Sequence, residues 1–345
     1  MLEVWLYRLC FAFAMVLMCL RLSEASTISD SEVQKLVDTL WKADVNRASD
    51  SQIKVDYQGK APSLESKEDH AKQSLFAHVD SKVLSRSTFK ALTALYPYFD
   101  SRAGHAESKS NQKNAAIQTF LDELSKTKVI HALRNWLADH GVAGGTSSSE
   151  SFKAYLKELW FDTYSRDKGA QDTSAFEHVF MNELKRGKIM GLHSWVRMYI
   201  LEKSGQLNYL GYNKKRPYLA SINVEIKGKS KATSFFVGSS PEFDLAVYSL
   251  CYLTRQGKNG CNFELPDCTK VRVTTHSLQQ RGADFIGSAY PTARGRQTTC
   301  QAKHDSVYDY SNRGKHSTGP AGLAANVRVS FWFVLIGLLV LTCLK

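Results

Sequence analysis

His178 and His193 are the side chains of this sequence best suited to move protons near neutral pH. His178 follows Glu177 and stands among Phe176, Val179 and Phe180, while His193 stands in Gly191-Leu192-His193-Ser194-Trp195. Apolar neighbours on both sides hold an imidazole in place and shield it from bulk water. Such a residue is either a hydrogen-bonded structural histidine or half of a general acid–base pair, and spacing alone does not separate the two. Lys185, Arg186 and Lys188 lie between the histidines, and Lys214, Lys215 and Arg216 follow them. These basic runs suit a phosphate backbone or a solvated face equally well.

The elements that must position this pair divide the chain into a helical and a mixed part. From Thr27 to about Leu137 apolar residues recur at three- and four-residue spacing: Val33, Leu36, Val37, Leu40 and Trp41 behind a cap at Ser29 and Asp30, then Leu75, Val79 and Val83, then Phe120, Leu121 and Leu124, then Val129, Ala132, Leu133 and Trp136. Trp41 and Trp136 fall on these apolar faces and read as packing residues. The Gly- and Ser-rich stretch 141–151 reads as a hinge, and helical spacing returns from Phe152 to Tyr164. Beyond the histidines alternation takes over: Ile222, Val224 and Ile226 share one face against Ser221, Asn223 and Glu225. Ser234–Gly238, Val271–Thr274 and Ala283–Ala289 read as further strands, and Pro241–Leu250 as a helix capped by Ser240. The class is α+β.

Five ordered blocks change the weight of the histidines. Phe176-Glu177-His178-Val179-Phe180, then Glu183, then Gly191-Leu192-His193-Ser194-Trp195 resemble the double-histidine core of the EndoU family of poly(U)-specific endoribonucleases. Leu40-Trp41-Lys42-Ala43-Asp44-Val45-Asn46-Arg47 resembles the family's LWxxDxNR opening. Lys231 and Phe236-Val237-Gly238-Ser239-Ser240-Pro241-Glu242-Phe243 resemble its lysine and its FxGxSPEF segment, and Ile286-Gly287-Ser288-Ala289-Tyr290-Pro291 its closing IGTAYP. Together they span roughly residues 27 to 300. Lys227, Lys229 and Lys231 alternate as if on one strand face, so only the position before Phe236 selects Lys231.

The resemblance implies a helical part followed by two lobes whose small antiparallel sheets flank a cleft. It implies cleavage of single-stranded RNA at uridines by the 2′-hydroxyl, giving a 2′,3′-cyclic phosphate and a 5′-hydroxyl. His193 would be the base, His178 the acid and Lys231 the cation for the phosphate, with Ser288 and Tyr290 reading the base. Ser288 stands where the family commonly has threonine, which keeps the hydroxyl and loses a methyl contact. Dependence on Mn²⁺ is also implied, with Glu183 and Glu177 as candidate carboxylate ligands and Glu177 alternatively a support for an imidazole. A monomer is expected. The competing reading is a catalytically weak or inactive module that binds RNA or acidic glycans, and retention of both histidines, Lys231 and Ser288 argues against it.

Composition and termini set the context. With 345 residues, 43% of them hydrophobic, the chain can bury a sizeable core, and a net charge of +12 asks for an acidic partner. Residues 1–25 carry Arg8, an apolar run from Cys10 to Leu20 and a small-residue exit at Ala25, the pattern of a secretory signal peptide. Residues 26–302 form the expected nuclease domain, helical to about 140 and catalytic from about 150, and 303–317 a linker. Residues 318–345 end in an apolar run followed only by Lys345, which fits a glycosylphosphatidylinositol (GPI) signal with attachment at Ser317, or a single membrane span. Either places the protein in the secretory route, at the cell surface or outside it. Cys10, Cys19 and Cys343 fall in segments expected to be removed, leaving Cys251, Cys261, Cys268 and Cys300 in an oxidising compartment. These four allow two disulfides in three connectivities; the spacing makes a small loop closed by Cys261 and Cys268 one expectation, and Cys251, in an apolar run, could equally be a buried free thiol. No CxxC pair supports a zinc site and no GxxxxGK[ST] run a nucleotide loop.

Overall fold

The first long helix, α1 (Asp30–Ala43), begins at Ser29, where the sequence places its cap. The Ser29 hydroxyl accepts from the Glu32 amide at 3.2 Å, and the Glu32 carboxylate accepts from the Ser29 amide at 2.7 Å. This reciprocal pair satisfies two of the donors that a helix start leaves open. The computed structural model describes residues 28–107, 109–166, 169–255 and 260–296. The expected signal peptide, linker and attachment segment, with Cys300 and Ser317, lie outside the described residues.

Five more helices and one hairpin complete the N-terminal part: β1 (Ile53–Val55), β2 (Phe76–Val79), α2 (Ser81–Leu84), α3 (Ser87–Leu95), α4 (Asn111–Ser125), α5 (Lys128–Asp139) and α6 (Ser149–Phe161). Side chains of Ser110, Thr127 and Ser148 cap α4, α5 and α6. Trp41 is buried edge-on to Tyr218 and Phe243, and Trp136 is half-buried with its ring stacked on His140. The expected hinge at 141–151 is closed instead. A Cβ on Gly145 would lie 2.5 Å from the Leu137 carbonyl, and one on Gly144 would enter the Tyr155 ring. All described residues belong to one compact unit.

The mixed part runs α7 (Ala175–Phe180), β3 (Glu183–Lys185), β4 (Lys188–Met190), α8 (Trp195–Lys203), β5 (Asn208–Arg216), β6 (Leu219–Ile226), β7 (Lys229–Phe236), α9 (Pro241–Arg255), β8 (Cys261–Glu264), β9 (Lys270–Gln280) and β10 (Ala283–Ala293). Strands β5, β6 and β7 form one antiparallel sheet and β8, β9 and β10 another, with β10 at an edge that meets β6 and β7. Pro291 is tolerated within β10 because an edge strand leaves one row of donors unpaired. Helix α9 is buried from Pro241 to Tyr252, its Glu242 and Asp244 included. The α+β class with small antiparallel sheets is what the sequence leads one to expect.

Two details differ. β7 starts at Lys229, five residues before the strand read from Ser234, and Lys227 with Gly228 forms the two-residue turn before it. Both turn residues have positive φ, +50° and +70°, as a tight hairpin turn demands. Lys227 therefore leaves the strand face it was expected to share with Lys229 and Lys231. The cysteines also pair otherwise. Cys251 in the last turns of α9 is bonded to Cys261 at the start of β8, with Cα atoms 5.3 Å apart. The expected Cys261–Cys268 loop is thereby excluded, and Cys251 is not a free thiol; Cys268 is itself disulfide-bonded.

Closing a chain loop of this length stabilises a fold by roughly 2–3 kcal/mol on the chain-entropy account. A Cys251→Ala, Cys261→Ala variant is expected to lose about that much (~2–3 kcal/mol) in denaturant unfolding. An unchanged midpoint would show that the staple contributes nothing.

Candidate active site

Backbone hydrogen bonds bring the two histidine segments together. The Leu192 amide donates to the His178 carbonyl at 3.0 Å and the His193 amide to the Val179 carbonyl at 2.7 Å. Gly191 makes the approach possible: its φ is +68°, and a Cβ there would sit 1.8 Å from the His178 carbonyl oxygen. Both imidazoles, their ring centroids 6.2 Å apart, open into one cleft of about 680 Å³ between β10 and the β5–β7 sheet.

Each ring is held at Nδ1 by an acceptor, a neutral carbonyl in one case and a charged carboxylate in the other. His193 Nδ1 lies 2.9 Å from the Ser234 carbonyl, which can only accept, so the proton sits on Nδ1 and the Nε2 lone pair is left for the cleft. His178 Nδ1 lies 2.6 Å from Glu183, a buried carboxylate that also receives Arg166 and the Thr173 hydroxyl. Burial, the nearby Lys231 ammonium and His178 push His193 well below the ordinary histidine range. Burial also lowers His178, to about 4, but there the Glu183 carboxylate pulls the other way. Of the two rings, only His178 has a carboxylate beside it to support its cation.

Lys231 on β7 reaches the same cleft, donating to the Gly191 carbonyl, and burial brings its ammonium down to about 8, still cationic at neutral pH. Ser288 and Tyr290, two apart on β10, face the cleft from the opposite wall, and Tyr290 stacks on His193 with centroids 5.1 Å apart. The structure therefore brings His178, His193, Lys231, Ser288 and Tyr290 into one space. Of the basic runs, Lys185 donates to the Arg166 carbonyl, Lys214 to the Ala293 carbonyl and Arg216 to the Gly295 carbonyl, while Lys215 lies over the Tyr212 ring.

The family model for Endoribonuclease XendoU matches residues 32–291. The chain belongs to that family. Uridylate-specific endoribonuclease C of Xenopus laevis is 38% identical over 278 residues, 77% of this chain and 90% of that protein. The human uridylate-specific endoribonuclease is 32% identical over 77% of this chain and 67% of its own length. The solved structure of XendoU, described as a splicing-independent snoRNA processing endoribonuclease, superposes with a TM-score of 0.65 at 32% identity, covering 76% of this chain and 97% of that one.

Within this XendoU-family site the two glutamates differ sharply. Glu177 is fully buried on α7, with neither carboxylate oxygen hydrogen-bonded, and burial together with Glu107 and Glu183 raises it well above the usual carboxylate range. It orients neither imidazole; Glu183 does that for His178. As ligands for Mn²⁺ the pair does not fit. The Glu183 oxygens are taken by His178, Arg166 and Thr173, a guanidinium stands where a cation would approach, and burial with the neighbouring carboxylates raises the Glu177 carboxyl well above its usual range. Among the described residues no group of three or more His, Cys, Asp or Glu side chains is placed to hold a metal ion.

Sequence reasoning missed Arg166, Thr173 and His276. Arg166 joins Glu183 to the Gly287 carbonyl and the Tyr164 hydroxyl, next to the bulge in β10 that precedes Ser288. It lies in an irregular loop where no periodicity marks it. His276, exposed at the cleft wall beside Tyr290, pairs with Ser288 across β9 and β10, a relation only strand register reveals.

Because the Glu183 carboxylate raises the His178 pKa against burial, its removal must lower it. In a Glu183→Gln variant the His178 ring is expected to titrate below its wild-type value of about 4 when followed by NMR. An unchanged or higher value would show that the carboxylate does not set the poise of this ring.

Proposed function

We propose that this chain is an endoribonuclease that cleaves single-stranded RNA at uridines, leaving a 2′,3′-cyclic phosphate and a 5′-hydroxyl. One observation carries the reading: two imidazoles, one backed at Nδ1 by a neutral carbonyl and the other by a charged carboxylate, share a cleft with an ammonium. His193, neutral with its Nε2 lone pair available, takes the proton from the 2′-hydroxyl. The 2′-oxygen attacks phosphorus, and the bond to the 5′-oxygen breaks. His178, whose cationic form Glu183 supports, delivers a proton to that leaving oxygen. Lys231 offsets the charge that builds on the non-bridging oxygens. Ser288 can bond the uracil edge and Tyr290 can stack on the base or sugar. The names of the relatives support uridine as the base read.

The same proposal puts the protein in the secretory route, at the cell surface or outside the cell, held by a lipid anchor at or near Ser317. The sequence patterns of residues 1–25 and 318–345 support it, and so does the Cys251–Cys261 bond, a feature of oxidising compartments. Release of the protein from intact cells by a GPI-cleaving phospholipase is the expected result; retention would favour a membrane span.

The test of the chemistry uses an RNA oligomer with a single uridine and its 2′-deoxyuridine twin, with and without Mn²⁺. Wild-type protein is expected to cut the first to a cyclic phosphate and leave the second intact. His178→Ala and His193→Ala should each lower kcat by about 10²–10⁴-fold, the usual contribution of a general acid or base. Tight binding of RNA or acidic glycan without cleavage under either condition would overturn the proposal in favour of a binding module.

A further inference from the structure

Leu64 is an exposed apolar side chain, 53% accessible, and it lines the catalytic cleft. A leucine at a protein surface needs no explanation by itself. What distinguishes this one is how its backbone is held. The turn 63–66 is fastened by Asn223 on β6, whose side-chain amide is buried and donates to the Ser63 carbonyl at 2.9 Å and the Ser66 carbonyl at 3.0 Å. The remaining oxygen of that amide accepts from Asn213 at 2.7 Å. Burying an amide is unfavourable unless its hydrogen bonds are made, so Asn223 stabilises the fold only with this turn in place. The Ala61 amide, on the Tyr212 carbonyl, and the His70 amide, on the Leu210 carbonyl, tie both ends of the loop to β5. The loop is thus fixed to the sheet that carries Lys231 while Leu64 stays out of the core.

The two walls of the cleft have different chemistry. The β9–β10 wall supplies Ser288, Tyr290 and His276 beside His193, together with Leu278. The other wall, from the 63–66 turn, β4 and β6, supplies Leu64, Ile189, Met190 and Ser221. In-line attack places the leaving 5′-oxygen opposite the attacking 2′-oxygen, so a uridine with its 2′-hydroxyl at His193 and its base beside Ser288 and Tyr290 would send the leaving nucleoside toward the second wall.

We propose that Leu64, with Met190, is the apolar contact for the nucleobase 3′ to the cleaved phosphate, a second base subsite tolerant of base identity. Every nucleobase has an apolar face, and an aliphatic surface without directed donors or acceptors cannot read its edge. The subsite rests on the nuclease reading above and adds the binding of the departing nucleoside to it.

The test compares two short RNAs, one with uridine followed by adenosine and one with uridine followed by an abasic ribonucleotide, on wild type, Leu64→Ser and Leu64→Met. Wild type is expected to show a kcat/KM about tenfold higher on the first, the order of discrimination that one apolar contact supplies. Leu64→Ser should narrow that gap to about twofold or less, and Leu64→Met should restore most of it (roughly a volume-conserving swap). Replacing adenosine by guanosine or cytidine should leave the wild-type rate nearly unchanged. An equal fall on both substrates in Leu64→Ser, or no wild-type gap at all, overturns the subsite while leaving the nuclease intact. A wild type inert on both removes the nuclease reading and the subsite with it.

Discussion

The buried carboxylate of Glu183 is the constraint on which the site depends. An ionised group withdrawn from water is strongly destabilising unless it is paired and hydrogen-bonded. Here the compensation comes from His178 on the same segment, from Arg166 in the loop before it and from the Thr173 hydroxyl. Each partner has a second duty. His178 faces the cleft, and Arg166 reaches the Gly287 carbonyl beside the bulge that turns Ser288 inward. One buried charge thereby connects the proton-transfer side of the cleft to its base-facing side.

His193 is fixed by a different route, and that route explains why motifs far from the histidines accompany them. The Tyr248 hydroxyl on α9 donates to the His193 carbonyl at 3.3 Å, and the Trp195 indole donates to the Ser239 carbonyl at 2.7 Å. The Ser239–Phe243 segment is in turn held by the N-terminal block. Asn46 donates to Glu242 at 2.6 Å, and the Ala48 amide donates to the Gly238 carbonyl at 2.8 Å. Asp44, pushed up to about 7 by burial and by Glu242, accepts from the Ser240 amide. The LWxxDxNR and SPEF blocks face each other, and their polar residues align the two segments.

How much of this is legible in the sequence follows from the range of each interaction. Helix starts at Ser29 and Ser240 are written locally, since a cap satisfies amides within three residues of itself. The residues now facing the cleft stand out because chemistry restricts their types and family resemblance orders them. Arg166 and Thr173 are invisible for the opposite reason. They act from loops, where no period exists, on a partner that tertiary packing supplies. The Cys251–Cys261 bond was hidden similarly: proximity in sequence favours Cys268, whereas the fold returns β8 to the end of α9. Lys227 misleads because alternation cannot show where a hairpin turns.

Two similar rings take opposite roles because the Nδ1 of one meets a neutral carbonyl and that of the other a charged carboxylate. The most direct test replaces the leaving 5′-oxygen of the uridine linkage by sulfur, which departs without needing a proton. His178→Ala is then expected to recover most of the wild-type rate on this substrate, while His193→Ala stays impaired because the 2′-hydroxyl still requires a base. Recovery of His193→Ala instead, with His178→Ala remaining inactive, would contradict the account and reverse the two roles.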